Sequence, residues 1–178
     1  MATNKKLKEL HNSDTHNCFA CSPSNKLGLQ MKLFTDEVAV YSWISVPDHM
    51  GGWQNIIHGG IVSTILDEIM GWAGLYLLKK VTLTNSMTVD FIKALHVGER
   101  LRAEGRVIDF NGKRKASVVG FLYNEKNELC AKSKGDFTAL SPKLAKRMGM
   151  MTDDHIKDIF EPLINPGRTA TQGDWRGR

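Results

Sequence analysis

The stretch that decides the fold is Ile57-His58-Gly59-Gly60-Ile61-Val62-Ser63-Thr64-Ile65-Leu66-Asp67-Glu68-Ile69-Met70-Gly71-Trp72-Ala73-Gly74. It predicts a two-glycine turn that opens a mostly apolar helix over 60–78, with two acids in its second turn. Two adjacent glycines let a ligand approach the backbone closely, because neither has a Cβ atom. The first amide N–H groups of the helix lack internal partners and lie at its positive end, where they could hold an anion or a developing oxyanion.

A stripe of small residues surrounds the first acid of this helix. At helical neighbour spacing, Asp67 is flanked by Ser63 and Thr64 before it and by Gly71 and Gly74 after it. A carboxylate on such an uncrowded stripe can be reached by a substrate. The alternative is that the small residues only let the helix lie close to a sheet, with Asp67 bound to a backbone N–H. The residues alone leave both interpretations open.

Length and composition are typical of one soluble globular domain. The chain has 178 residues, of which 42% are hydrophobic and 24% charged, and its net charge is +5. Lys and Arg are scattered, which disfavours nucleic-acid binding. No signal-peptide pattern is visible, and the longest apolar segment contains Asp67 and Glu68, which makes it a poor membrane span. We therefore expect a cytoplasmic protein without nucleic-acid or membrane partners.

Strand patterns flank the helix on both sides. Two precede it, at 30–34 and 38–46, and four follow it, at 86–91, 100–110, 114–123 and 128–140. Asn111-Gly112 is the strongest hairpin signal, since both residues tolerate the positive φ of a type I′ turn. The order predicts an α+β fold in which a curved antiparallel sheet wraps around one long central helix.

Two extensions flank this core. The predicted boundaries are an N-terminal extension over 1–17, a domain over 18–141, and a C-terminal extension over 142–178. Leu7 and Leu10 are spaced for a short helix in the first extension. The second has a weak helical pattern over 143–164 and a polar end with the composition of a disordered tail. Its apolar residues either dock on a partner subunit or cover the chain's own core.

A Cys-x-x-Cys pair, Cys18 and Cys21, lies close in sequence to His11 and His16, a combination that also occurs in zinc sites. A closed structural zinc site needs four converging ligands, and no second pair is present, while Cys130 is distant and alone. The sequence therefore favours a lid or packing role for this loop, and predicts no metal.

Several motifs together resemble the hotdog-fold acyl-CoA thioesterases, in the small single-domain branch typified by the phenylacetate-pathway enzymes. His58-Gly59-Gly60 with Asp67 nine residues after the histidine has the signature spacing of that branch. The similarity runs from about 18 to 140. It includes Leu66-Asp67-Glu68, Gly71-Trp72, Cys18-Phe19-Ala20-Cys21, Asn25-x-x-Gly28-Leu29, Gly98-Glu99-x-Leu101, Asn111-Gly112-Lys113, and Ala131 with Gly135.

The resemblance implies hydrolysis of a coenzyme A thioester to a free acid and CoA, without a cofactor, because coenzyme A is part of the substrate. Asp67 matches the carboxylate that acts as general base on water or as nucleophile through a mixed anhydride. The Gly59 N–H matches the group that polarises the thioester carbonyl. Thr84 matches a Ser or Thr that relatives place near the acid from the neighbouring subunit. Among the catalytic candidates, His58 matches a residue that stabilises the turn by a hydrogen bond, and a direct role in proton transfer is the less favoured alternative.

The resemblance also implies an acyl-CoA site at the interface of a homodimer or homotetramer. Some relatives carry an Asn six residues before the His, where this chain has Gly52, and Asn55 lies nearby without being equivalent. Glu68 matches an oriented neighbour or a structural acid. The implied substrate-binding residues are Gly60, Glu68, Asn55, Phe91, Phe110, Asn111, Gly112, Lys113, Arg114 and Lys115.

Some alternatives stay open. The basic hairpin 110–115 either contacts the phosphates of CoA or is a solvated tip. Trp43, Trp53 and Trp72 either line an acyl pocket or belong to the core. A non-catalytic acyl-CoA-binding module is disfavoured because Asp67 is retained on its small stripe. A hydratase or dehydratase is disfavoured because such enzymes usually need a His–acid pair across the site.

Overall fold

The computed structural model of the chain describes residues 7–164. Within that range the strands are β1 (Lys8–Glu9), β2 (Phe34–Thr35), β3 (Val40–Ser45), β4 (Val81–Phe91), β5 (Arg100–Phe110), β6 (Lys115–Tyr123) and β7 (Leu129–Leu140). The helices are α1 (Gly59–Leu78), α2 (Pro142–Arg147), and α3 (Asp153–His155), which continues through a π-helical turn (Ile156–Phe160) into α4 (Glu161–Ile164). A short 3-10 turn covers Asp48–Met50.

One antiparallel sheet contains all seven of these strands, in the order β1-β2-β3-β5-β6-β7-β4. Helix α1 connects β3 to β4 and packs mainly against β5, β6 and β4. Its fully buried side chains include Ile65, Leu66, Ile69 and Met70. The predicted α+β architecture, a curved antiparallel sheet around one central helix, is confirmed.

Two facing glycines let α1 lie close to the sheet. Gly105 on β5 pairs with Gly120 on β6 across the ladder. A Cβ atom at Gly105 would lie less than 3.0 Å from the carbonyl oxygen of Ile69. A Cβ atom at Gly120 would lie 3.1 Å from Met70 and 3.3 Å from Leu66. Because neither glycine has a side chain, the pair forms a groove in the sheet surface, and α1 lies in this groove.

Helix α1 is long and apolar enough, by length and composition alone, to cross a membrane. In this fold its apolar sides instead face the sheet, as in the core helix of many globular domains. The stripe that stays incompletely buried carries Ser63, Thr64, Asp67 and Gly71. Helical spacing had grouped these residues on one face together with Gly74, but Gly74 is buried against Thr82.

Three predicted elements differ from the structure, and the first is the strand expected at 30–34, of which only Phe34 belongs to β2. The short helix expected around Leu7 and Leu10 is wrong, because Lys8–Glu9 forms strand β1, which pairs with Phe34–Thr35. Leu10 is nonetheless buried in the core. The strand after the helix begins at Val81 rather than 86, since the chain enters the sheet directly beyond the left-handed Lys79 at the helix end.

The hairpin between β5 and β6 also differs from the prediction. A type I′ turn needs positive φ at both central residues, and here only Gly112 has it, at 74°. Instead, the Asn111 Oδ1 atom accepts hydrogen bonds from the N–H groups of Lys113, Arg114 and Lys115, at 3.0–3.1 Å. One side-chain oxygen thus organises a four-residue loop, which leaves the basic side chains exposed.

The C-terminal extension packs on its own chain as far as it is described. Ser141 caps α2 by accepting a hydrogen bond from Leu144 N–H, and Phe160 and Leu163 are buried. Of the two predicted roles, covering the chain's own core therefore applies to 142–164. The polar end over 165–178 and the first six residues lie outside the described range.

The close contact at Gly105 and the open space at Gly71 predict opposite effects of two alanine substitutions on the free energy of unfolding. Gly105→Ala should lower the free energy of unfolding by about 1–3 kcal/mol, because the new methyl group meets the α1 backbone. Gly71→Ala should raise it by up to about 1 kcal/mol, since a Cβ there has nothing within 4 Å and alanine favours a helix. Urea unfolding measures both. Equal effects of the two variants would contradict the proposed close contact.

Candidate functional site

The start of α1 is a turn closed by a histidine. His58 is the N-cap, and its Nδ1 atom accepts a hydrogen bond from the Gly60 N–H at 3.0 Å. The His58 carbonyl oxygen accepts from the N–H groups of Ile61 and Val62, at 2.9 and 3.2 Å. His58 therefore accepts hydrogen bonds from three of the first four N–H groups of α1. Its ring stabilises the turn by one of these hydrogen bonds, as the resemblance implied.

The fourth of these groups, the Gly59 N–H, has no acceptor among the described residues. It lies at the positive end of the α1 dipole. Beside it is a cavity of about 430 Å³, which is lined by Gly52, Trp53, His58, Gly59, Phe91 and Leu95, among others. A Cβ atom at Gly59 would be only 3.6 Å from the Phe91 ring. This N–H is thus free to polarise an oxygen atom that enters between Phe91 and the turn.

The helix carboxylate lies in a second cavity. The Thr84 Oγ1 atom donates a hydrogen bond to Asp67 Oδ1 at 2.6 Å. Asp67 and Thr84 line a cavity of about 400 Å³ together with apolar side chains. These apolar side chains are Trp72, Leu75, Val81, Met150, Met151 and Ile159. The Thr84 hydroxyl fixes one carboxylate oxygen, so the other can face a ligand in the cavity.

The partner of Asp67 comes from the same chain. The resemblance led us to expect the hydroxyl from a neighbouring subunit, but β4 runs alongside α1 and brings Thr84 to Asp67 directly. The early start of β4 at Val81 is the reason, because it places residue 84 next to the middle of the helix.

The second acid, Glu68, points to the N-terminal loop. Its Oε atoms lie 3.7 and 3.8 Å from Cys18 Sγ, and its Oε1 atom accepts a hydrogen bond from Trp72 Nε1 at 2.9 Å. Burial of the carboxyl group, aided by the charge of Cys18, raises the pKa of Glu68 to about 7. Glu68 is therefore an oriented, enclosed acid next to Asp67 in the sequence.

Cys18 and Cys21 shift each other's pKa in opposite directions. A hydrogen bond from the Cys21 thiol lowers the pKa of Cys18 to about 5, and the same bond raises the pKa of Cys21. All three cysteines of the chain are free thiols. Cys18 and Cys21 line the cavity that contains Asp67, whereas Cys130 lies on β7 and donates to the Glu128 carbonyl oxygen. The N-terminal loop thus forms one wall of the cavity.

The basic hairpin lies near the same end of the sheet. Lys115 pairs with Thr138, which in turn pairs with Leu83, the neighbour of Thr84. Two strand spacings place the Lys115 backbone about 10 Å from β4. The side chains of Lys113, Arg114 and Lys115 are exposed. A ligand bound beside Asp67 could therefore reach these three cations if it carried a long polar group.

Not every predicted residue joins a cavity. Asn55 is exposed and lines neither of the two, and the Gly60 N–H is already bonded to His58. A Cβ atom at Gly52 would lie 3.3 Å from His58 Cα, so position 52 lies directly beside this turn. Trp53 and Trp72 line one cavity each.

Trp43, by contrast, packs edge-on against Phe34 with ring centres 5.6 Å apart, and it lines neither cavity. The C-terminal extension contributes to the Asp67 cavity, which the sequence did not predict. Met150, Met151, His155 and Ile159 form part of its lining. The weak helical pattern of 143–164 does not indicate which part of the molecule these residues cover.

Comparisons with known proteins agree with this architecture. Residues 54–131 match the family model described as the thioesterase superfamily. No curated protein matches the chain. One similar solved structure is a thioesterase superfamily protein with 20% sequence identity and a TM-score of 0.64. That likeness covers 68% of this chain but only 60% of the other chain.

Two further solved structures illustrate the same fold. PaaI from the phenylacetic acid degradation operon of E. coli is 19% identical, with a TM-score of 0.58 over 64% of this chain and 81% of that one. A Streptococcus mutans protein bound to acetyl CoA is 20% identical, with a TM-score of 0.54 over 58% and 82%. The resemblance to the hotdog-fold thioesterase superfamily is confirmed, and the fold is the hotdog fold.

The cap at His58 predicts a stability difference between two substitutions. His58→Ala should lower the free energy of unfolding by about 1 kcal/mol, because the Gly60 N–H loses its acceptor. His58→Asn should lose less, since asparagine is among the best N-cap residues. Urea unfolding of both variants checks this. A His58→Asn variant as unstable as His58→Ala would rule out the capping role.

Proposed function

We propose that the protein is an acyl-CoA thioesterase, which hydrolyses a coenzyme A thioester to a free acid and CoA. The observation that carries this proposal is the Asp67 carboxylate, held by the Thr84 hydroxyl in a cavity that apolar side chains line on one side. The free Gly59 N–H at the helix start supplies the matching electrophilic group. Neither group needs a metal or another cofactor for this reaction.

The roles follow from the chemistry of a thioester. The Gly59 N–H and the helix dipole stabilise the negative charge that develops on the carbonyl oxygen during attack. Asp67 either takes a proton from the attacking water or attacks the carbonyl carbon itself to form a mixed anhydride that water then opens. In both cases the carbon–sulfur bond breaks and the CoA sulfur leaves as a thiolate, which takes up a proton to give the thiol.

Both groups have to reach one carbonyl, which a single chain does not allow. Gly59 and Asp67 are eight residues apart on one helix, which is about 12 Å along its axis. A donor and a base that act on the same reacting carbon each lie about 3 Å from their target atoms. We infer that a second copy of the chain completes the site.

The edge of the sheet suggests how the copies meet. β4 is an edge strand that pairs only with β7 in the described part of the chain. Thr84 and Phe91 are equally far from the point between Met87 and Thr88. An antiparallel pairing of two β4 edges about that point would place Thr84 of one subunit opposite Phe91 of the other. It would thereby bring Asp67 of one chain towards Gly59 of the other.

Charge and shape support a CoA thioester as the ligand. The exposed Lys113, Arg114 and Lys115 are suited to the phosphates of CoA, and the apolar side of the Asp67 cavity is suited to the acyl group. The similar Streptococcus mutans structure contains acetyl CoA. The arrangement therefore fits a ligand with an apolar end, a reactive carbonyl and an anionic tail.

A first experiment compares two carboxylates that each accept a hydrogen bond from a hydroxyl group. Asp67→Asn should lower kcat for acyl-CoA hydrolysis by about 10²-fold or more, because it removes the base or nucleophile. Asp136→Asn is the matched control, since Asp136 accepts from Ser117 Oγ at 2.8 Å outside the Asp67 cavity. The assay is thiol release from short, medium, long and aromatic acyl-CoAs.

The outcomes of this assay are distinct. If both variants keep full activity, Asp67 is neither the general base nor the nucleophile. If wild type binds acyl-CoA in calorimetry and cleaves no thioester in the panel, the protein is a binding module. If it consumes an enoyl-CoA without releasing thiol, it is a hydratase.

A second experiment tests the shared site. Gly59→Pro removes the N–H donor at a helix position where proline is tolerated, and His58 already has φ −59° and ψ 135°, which suits a following proline. Gly59→Pro and Asp67→Asn should each be inactive alone. Co-expressed, they should recover about one quarter of the wild-type rate, since half of the dimers carry one intact site of two. Mixtures that stay inactive would contradict a site built from two chains.

A further inference from the structure

We propose that Cys18, Cys21 and Glu68 form a binding site for one zinc ion, which links the N-terminal loop to helix α1. The proposal goes beyond the thioesterase function and does not depend on it. It also departs from the expectation drawn from the sequence, where the Cys-x-x-Cys pair lacked further ligands. The structure supplies a third ligand from a helix 47 residues further along the chain than Cys21.

The distances between the three side chains suit a tetrahedral metal ion. One ligand atom from each lies within 4.8 Å of the others, and Cys18 Sγ is 3.7 and 3.8 Å from the Glu68 oxygens. With Zn–S of about 2.3 Å and Zn–O of about 2.1 Å, a tetrahedral angle separates sulfur and oxygen by about 3.6 Å. The cluster therefore needs only a small adjustment to place all three atoms around one ion.

Both sides of the cluster are held in place by other contacts. The loop is pinned by hydrogen bonds from Leu29 N–H to the Phe19 carbonyl oxygen and from Met31 N–H to the Ala20 carbonyl oxygen, each 2.9 Å long. On the helix, the Trp72 indole N–H orients Glu68 through its bond to Oε1. A hydrogen bond to a ligating carboxylate is the usual outer support of a metal site. The ligands are thus arranged before an ion arrives.

The chemistry of the donors selects the kind of ion. Two sulfurs and one carboxylate favour zinc or a similar thiophilic divalent cation over magnesium or calcium. Cys21 is buried, and Cys18 and Glu68 are partly buried, so their anionic forms are poorly solvated and gain from a cation. All three side chains line the Asp67 cavity, from which a water molecule would supply a fourth ligand.

The nearby histidine has other partners. His16 Nε2 is 2.9 Å from Asn12 Oδ1, and His16 Nδ1 accepts a hydrogen bond from Cys18 N–H at 3.2 Å. His16 therefore supports the loop backbone rather than offering a nitrogen to the ion.

The test uses the whole chain with reduced thiols and cobalt as a spectroscopic probe. Protein freed of metal by a chelator should bind one equivalent of Co²⁺, with the sulfur-to-cobalt charge-transfer absorption and the intense visible bands of a tetrahedral site. One equivalent of Zn²⁺ should displace it. Cys18→Ser and Cys21→Ser should each weaken cobalt binding at least 100-fold, and Glu68→Gln at least tenfold. Cys130→Ser is the matched control and should bind as wild type does.

Any of the following results would overturn the proposed zinc site. Reduced wild type that shows no charge-transfer band, or a Cys130→Ser variant as impaired as Cys18→Ser, excludes this site. Thiol counting detects a Cys18–Cys21 disulfide, and if cobalt still fails to bind after its reduction, the pair is a dithiol without a metal. Circular dichroism checks that each variant folds, and Glu68→Gln keeps both thiols if a cysteine variant does not. Since no step uses a thioester, failure here leaves the proposed hydrolysis untouched.

Discussion

The close packing of α1 against the sheet is the constraint on which the rest of the structure depends. Gly105 and Gly120 have no side chains, whereas side chains at these positions would hold the helix away from the sheet. Ile65, Leu66, Ile69 and Met70 can therefore be fully buried between helix and sheet. Burying such side chains contributes about 1.5–3 kcal/mol each, so the orientation of α1 about its own axis is strongly determined. That orientation decides which stripe of the helix remains reachable.

The reachable stripe has two chemically different regions. At the helix start, backbone N–H groups and the dipole favour negative charge, and His58 occupies every one of these groups except the Gly59 N–H. About 12 Å further on, the stripe presents a carboxylate held by Thr84. A straight helix cannot bring its own two regions together. The proposed antiparallel pairing of two copies would bring them together, since it would set the start of one helix against the middle of the other.

Much of this arrangement follows from residue types and spacing. The glycine turn, the helix and the small stripe depend on local patterns that one helix can satisfy alone, and the resemblance implied the role of His58. The resemblance placed Thr84 near the acid, and the structure brings it there. The contact from within the same chain did not follow from the sequence, because it depends on where β4 starts relative to the helix end.

Other features depend on contacts between distant segments, which a periodic pattern does not specify. The apolar residues of 142–164 indicate that something is covered, but Met150 and Ile159 reach the Asp67 cavity only through tertiary packing. Asn111 was correctly assigned to a turn, yet its side chain competes with the two-residue geometry by accepting three N–H bonds. The approach of Glu68 to Cys18 likewise joins residues 50 positions apart.

Asp67 and Glu68 show how neighbouring acids on one helix acquire different tasks. Consecutive residues project about 100° apart around a helix axis, so one carboxylate faces the open stripe beside Thr84 and the other faces the N-terminal loop. A hydroxyl group supports the first, whereas an indole N–H and two sulfur atoms surround the second. The pKa of Glu68, raised to about 7 by burial, is a consequence of that enclosed position. The role of base that we propose for Asp67 needs an open approach for the substrate, and an acid that joins two segments needs enclosure. Because a single turn of α1 meets both requirements, any ion or bond that fixes the loop at Glu68 also fixes one wall of the cavity around Asp67.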